Sequence, residues 1–271
     1  MPTLLKTISK EELIQDLKEI YSKGWIENYR GKNNGAVGNT LEDLLNIPEN
    51  NLPIPNAAEW ELKAQRSNTS ALVTLFHMEP SPRALRVVPN ILIPKYGWPL
   101  QNAKESGEMS FRATLNAADY SDRGFIINVN NAERKIEIKF NSQYTKDSHK
   151  DWLEAVKSKV GHLEDFDIPP YWGFDDLFHK AGTKLINCFY VRADVKKERV
   201  DGRIREFFLY NYVLKLSHFD QEKFIQAFRD GLLYIDFDAR THHNHGTKVR
   251  INYNNIPRLY HDAEVVLDNR L

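Results

Sequence analysis

Apolar positions along this chain switch repeatedly between a helical and an alternating period, and the switches outline the elements. Over residues 9–24 (SKEELIQDLKEIYSKG), Leu13, Ile14, Leu17, Ile20 and Tyr21 fall on one helix face. Ser9 and Glu12 fit a capping box there, and Gly24 supplies a stop. A short second helix is predicted where Leu41, Leu44 and Leu45 follow a loop holding Gly31, Gly35 and Gly38. The turn-rich run ENNLPIPN leads extended chain into a strand over residues 59–65, and a second strand over 71–77 follows the SNTS turn. RGFIINV and RKIEIKF alternate apolar and polar residues around positions 130–133, which predicts a hairpin. Helices are predicted around Trp152, Leu153 and Val156, ending at Gly161, and over residues 172–181. Strands over 184–194 and 204–216 flank Asp201-Gly202, a strong hairpin turn. Asp220 caps a helix with Phe224, Ile225 and Phe228 on its apolar face. The segment LLYIDFDARTHHNHGTKVRINY reads as two strands around a His-rich turn, with a last strand near Val265.

Prolines 80, 82, 89, 94 and 99 exclude long regular structure from residues 80–107. That stretch reads as a surface arm or as a packed irregular connection. As an arm, it would offer Arg83, Arg86, Lys95, Tyr96 and Trp98 to a nucleic-acid backbone.

Composition narrows the class without naming a function. A chain of 271 residues, 41% hydrophobic and 27% charged, is an ordinary globular sequence that can bury a sizeable core as one domain with two lobes. No run approaches a membrane span and the first residues lack the apolar core of a secretion signal, so a cytoplasmic protein is expected. Its single cysteine, Cys188, lies in the apolar run KLINCFYV, where it reads as a buried structural thiol and excludes an intrachain disulfide. The 37 basic and 37 acidic residues cancel, which excludes a uniformly basic coat but leaves room for a basic cleft.

Candidate chemistry centres on residues 55–80. Glu59, Glu61 and Lys63 alternate, so a strand would project two carboxylates and an ammonium from one face, as a site for a hard divalent cation requires. Taken alone, the pattern is more often that of a solvated strand face with an ion pair. Glu42, in the short helix, becomes a further acid for the metal if it faces this strand. Arg30 and Lys32 lie in the glycine loop before that helix, where backbone amides could meet phosphate, although a plain flexible loop fits as well.

In order and spacing, GNTLEDLL, the P-N-x4-E-x-K segment from Pro55 to Lys63, TLFHMEP, YWGFDDL ahead of KLINCFYV, and HNHGTKVRIN resemble the MvaI/BcnI type II restriction endonucleases. These are PD-(D/E)xK nucleases, similar in fold to the mismatch-repair nicking enzyme MutH. The resemblance implies an α/β fold with a mixed sheet and two lobes around a DNA cleft, a catalytic lobe near residues 1–150 and a recognition lobe near 151–271. It also implies Mg²⁺-dependent hydrolysis of double-stranded DNA, with Mn²⁺ able to substitute, at a short GC-rich, nearly palindromic site. A monomer that cuts the strands in turn and a methyltransferase encoded nearby belong to the same picture.

Carried over by position, Glu61 is the metal-ligand acid, Lys63 the catalytic lysine and Glu42 the helical acid. Asn56 stands where the family motif has its first Asp, a neutral oxygen ligand where a charged one is usual. Glu42 or Glu59 replaces the charge, or the chain is altered to block cleavage, or the protein binds DNA without cutting it. For sequence reading the resemblance points to the last hairpin. There Asp236, Asp238 and Arg240 alternate on a strand that could read a G·C pair, and His243, His245, Lys248 and Arg250 fall among the DNA contacts. Zinc binding by His242, His243 and His245 lacks a Cys or an obvious fourth ligand. His77 reads as a structural histidine at a strand end.

Overall fold

The computed structural model describes residues 9–31, 33, 35–47, 60–100 and 107–270. Its main elements begin with α1 (Lys10–Ser22), β1 (Ile26–Glu27), α2 (Ala36–Leu44), β2 (Glu61–Arg66), β3 (Val73–His77) and a π-helix (Val88–Tyr96). There follow β4 (Trp98–Pro99), β5 (Met109–Leu115), β6 (Arg123–Asn130), β7 (Lys135–Thr145), α3 (Lys150–Val160), β8 (Tyr171–Gly173) and α4 (Phe174–Leu185). The chain ends with β9 (Asn187–Val200), β10 (Arg203–Phe219), α5 (Gln221–Arg229), β11 (Leu233–Arg240), β12 (His243–Ile251) and β13 (Tyr260–Asp268). No helix among the described residues is long and apolar enough to cross a membrane.

Two compact units form, one from residues 1–71, 181–220 and 259–271, the other from 72–180 and 221–258. They alternate along the sequence instead of dividing near residue 150, because strands far apart in sequence hydrogen-bond in one sheet. β2 runs parallel to β9, from Glu61 opposite Cys188 to Arg66 opposite Ala193.

In the first unit the sheet order is β1-β10-β9-β2, with β13 also paired to β10. The Asp201-Gly202 turn joins β9 to β10 with both residues at positive φ (49° and 75°), as a two-residue hairpin loop demands. Ser9 and Glu12 form the expected capping box of α1. One face of the sheet is apolar: Leu62, Phe189, Val191 and Phe208 are buried against Leu13, Leu17 and Ile20 of α1 and Val37 and Leu41 of α2. Each such side chain contributes roughly 1.5–3 kcal/mol on burial. Side chains alternate along a strand, so committing Leu62 and Ala64 to this core sends Glu61, Lys63 and Gln65 to the opposite face.

The second unit holds a five-stranded sheet, β3-β12-β11-β5-β4, and a three-stranded sheet, β6-β7-β8. Phe111, Phe125, Phe140 and Phe237 are almost fully buried in it. Residues 83–96 depart from the surface arm the prolines suggested. Nine of them form the π-helix, which buries Val88, Leu92, Ile93 and Tyr96. Pro89 sits in its first turn, where no N–H partner is needed, and the run of apolar side chains outweighs the interruption at Pro94. The Trp152 indole donates to the Tyr96 carbonyl (3.1 Å) and fixes its C-terminal end.

The helix expected over residues 172–181 is displaced towards the C-terminus. Trp172 pairs with Ile136 as part of β8, and α4 continues to Leu185 because Leu177, Ala181 and Leu185 recur on one buried face. Lys184, expected at the start of a strand, therefore lies in the last helical turn.

Candidate active site

The polar face of β2 carries a buried carboxylate held by ammonium groups. Glu61 is 3% exposed. Its Oε1 lies 2.6 Å from Lys63 Nζ, and its Oε2 lies 3.9 Å from the Nζ of Lys184. Burying a carboxylate is costly unless it is paired, and among the described residues these two lysines pair with Glu61. Oε2 is buried and accepts no hydrogen bond among the described residues. An oxygen with open lone pairs is the donor type that a hard divalent cation takes, so Glu61 fits the metal the family motif implies. On the same face the Tyr190 hydroxyl donates to Gln65 Oε1 (2.9 Å), and Gln65 Nε2 donates to the Ala71 carbonyl (2.5 Å).

Cys188 lies beside Glu61 through the β2–β9 register. Burial pushes its thiol up to about 12, so it stays protonated near neutral pH, and it is the structural thiol expected from its apolar surroundings. Burial likewise raises the Tyr260 phenol well above its ordinary value, with Cys188 and Glu61 adding to the effect. Both stay neutral near neutral pH.

The other candidates are less concentrated. Glu42 lies on α2, half-buried and next to Leu41, which enters the core. Among the described residues no three His, Cys, Asp or Glu side chains gather as a metal-binding group. Asn56, Glu59 and Lys32 lie outside the described residues. Arg30 makes a two-pronged contact with Asp43, Nε to Oδ2 at 2.6 Å and Nη2 to Oδ1. That hydrogen bonding holds the Asp43 carboxyl below the usual carboxylate range.

In the second unit, Ile235, Phe237, Ala239, Val249 and Ile251 are buried, and the residues alternating with them line one polar sheet face. Asp236 takes the Arg250 guanidinium (2.9 Å) and the Thr114 hydroxyl (2.7 Å). Asp238 takes Lys248 (3.2 Å) and Arg112 (3.2 Å). Burial alone would push the Asp238 carboxyl up, but Lys248 and its other cationic neighbours hold it below its ordinary value. Arg250 also donates to the Leu72 carbonyl (2.6 Å), and the Nε atoms of Arg240 and Arg250 are buried without a hydrogen-bond partner. At the exposed start of β12, His243 and His245 face each other with Nε2 atoms 3.0 Å apart, and His77 is exposed opposite Lys248.

A cavity of about 830 Å³ adjoins the hairpin tip, and Arg83, Arg86, Val87, Ile93, Arg240 and His243 are among the residues lining it. Arg86 is left-handed (φ 48°). Sequence reasoning missed Lys184, Arg112 and Thr114. The alternation FRATL in β5 carries a signal for the last two, whereas nothing local marks Lys184.

The model of the MvaI/BcnI restriction endonuclease family matches residues 14–260. Among solved structures, the chain is similar to the "Restriction endonuclease MvaI-cognate DNA substrate complex", at 20% identity and a TM-score of 0.75, covering 98% of this chain and 100% of that one. It is also similar to "Restriction endonuclease MvaI in the absence of DNA", at 19% identity and a TM-score of 0.51 with the same coverage. At these identities the likeness establishes the fold, a mixed α/β architecture consistent with the PD-(D/E)xK expectation. No curated protein sequence matches.

Proposed function

This chain belongs to the MvaI/BcnI restriction endonuclease family, and from that premise we propose that it hydrolyses phosphodiester bonds of double-stranded DNA at a short, GC-rich, nearly palindromic site in a Mg²⁺-dependent reaction. Mn²⁺ can replace Mg²⁺. The observation that carries the reading is the buried Glu61–Lys63 pair on the polar face of β2. Residues of the first unit do the chemistry and those of the second read the site. The protein works in the cytoplasm as a monomer beside a methyltransferase that protects the host DNA.

Glu61 would hold the cation through Oε2, with Glu42 and Asn56 as the further ligands. A bound divalent cation lowers the pKa of a water and offsets charge building up on the phosphate. Lys63, its ammonium fixed by the contact to Glu61 Oε1, orients the attacking water or stabilises the developing anion. Cys188 and Tyr260, protonated near neutral pH, take no proton from the water.

Incubating supercoiled plasmid with the protein and Mg²⁺ or Mn²⁺ tests this. Discrete linear bands support a double-strand endonuclease, and open circles alone a nicking enzyme of the MutH kind. Intact plasmid supports the second reading, a sequence-specific DNA-binding protein with a defective metal site, which Asn56 favours.

On the reading side, the polar face of β11 and β12 supports base contacts by Asp236, Asp238, Arg240, His243, His245, Lys248 and Arg250, while Arg83 and Arg86 suit phosphate. Arg30 and Lys32 suit phosphate beside the first unit. Arg240→Ala is expected to cost roughly 1–3 kcal/mol on the preferred site and far less on random DNA. Arg86→Ala should weaken both duplexes alike and reduce the salt dependence by about one phosphate contact. Competition binding at several salt concentrations separates the two. Equal losses for both duplexes with Arg240→Ala would remove it from base reading.

A further inference from the structure

We propose that Lys184 is a second cationic residue of the same site, one that sets how tightly Glu61 takes a divalent cation. The inference rests on the reading of Glu61 as a metal ligand. Lys63 satisfies Oε1 at hydrogen-bond distance (2.6 Å), whereas the Lys184 ammonium stands 3.9 Å from Oε2, an ion pair without a hydrogen bond. Oε2 is buried and accepts no hydrogen bond among the described residues, so Lys184 balances its charge while leaving its lone pairs open.

The position of Lys184 is fixed by its element. It lies in the last turn of α4, where a cation complements the carbonyl end of the helix, and the neighbouring Leu185 is 1% exposed. Two residues beyond Leu185 the chain enters β9, which pairs in parallel with β2 and sets Cys188 opposite Glu61. Helix end and strand start thus hold the lysine stem against the Glu61 side of the sheet, and the Lys184 side chain is only 19% exposed.

A cation arriving at Oε2 meets a like charge within a few ångströms in a poorly solvated site, and the repulsion lowers its affinity. Without the cation, the same ammonium pairs with the buried carboxylate and holds it in place. Lys184 therefore acts through Glu61 as a positioning residue.

The test measures Mn²⁺ binding to the full-length protein without DNA, from the electron paramagnetic resonance signal of the free ion. Lys184→Met keeps the apolar stem and removes the charge, and is expected to bind Mn²⁺ about tenfold more tightly. Lys184→Arg should bind as the unaltered protein does, and the Mg²⁺ concentration for half-maximal cleavage should fall in parallel for Lys184→Met alone. Unchanged or weaker Mn²⁺ binding by Lys184→Met, in protein that melts at the usual temperature, overturns the inference. A failure of the underlying reading looks different: Glu61→Gln would then bind Mn²⁺ as well as the unaltered protein, and the Lys184 assignment would fall with it.

Discussion

Replacing Lys63 by alanine is expected to slow DNA cleavage on the order of 100- to 1,000-fold while leaving DNA affinity within about threefold of its starting value. Among the described residues the Lys63 ammonium hydrogen-bonds Glu61, so its expected contribution lies where charge develops on the phosphate or the attacking water. A group used in that way lowers the barrier and leaves ground-state binding alone. The substitution also removes the only hydrogen bond to Glu61 Oε1 among the described residues. Stranding a buried carboxylate costs about 3–5 kcal/mol, less whatever Lys184 recovers by moving closer. Melting curves should therefore accompany the kinetics. Lys63→Arg keeps the charge and separates the two effects: it should restore stability more fully than rate. Full cutting by Lys63→Ala would remove the active-site assignment.

What the sequence makes legible here is what local periodicity controls. The helix of Leu13, Leu17 and Ile20, the Asp201-Gly202 hairpin and the strand bearing Glu61 and Lys63 each follow from spacing and turn chemistry within a few neighbours. The resemblance to a known family then gives Glu61 and Lys63 their roles, and the structure brings them together at 2.6 Å. Prolines misdirect the reading of residues 83–96, because Pro89 at a first turn and Pro94 inside a π-helix are both compatible with a helical segment that buries four apolar side chains.

Lys184 is illegible for a different reason. Its partner is 123 positions away in sequence and is reached through a parallel strand pairing that no local pattern encodes. The ion pairs around Asp236 and Asp238 are intermediate. Alternation places the acids on one face of β11, but which cations meet them depends on the registers with β5 and β12. Those pairs also leave this sheet face internally neutralised, so on the proposed reading DNA would have to exchange base edges for the contacts Arg250 and Lys248 already make with the two aspartates.

Restoring an acid at the motif's first position, Asn56→Asp, is expected to raise cleavage on the order of tenfold and to lower the Mg²⁺ concentration it requires. By its place in the sequence Asn56 falls at the family motif's aspartate position, where it would offer a neutral oxygen instead of a charged one. A carboxylate about 4 Å from a cation charge gains roughly 4 kcal/mol at an effective dielectric near 20, and desolvation of both groups offsets much of it, so a net gain of about 1.4 kcal/mol is a moderate expectation. Glu61 is already countered by two ammonium groups. An added negative charge thus enters a neighbourhood that is short of it. If Glu59 or Glu42 already supplies that charge, a further acid crowds the site and the gain vanishes or reverses. A Mg²⁺ titration of single-turnover cleavage for both proteins decides between the two. A shift of the half-saturating concentration to lower Mg²⁺ marks Asn56 as a decayed or blocked ligand, and an unmoved midpoint in a protein that cuts well means the metal is held by a rebuilt set of carboxylates.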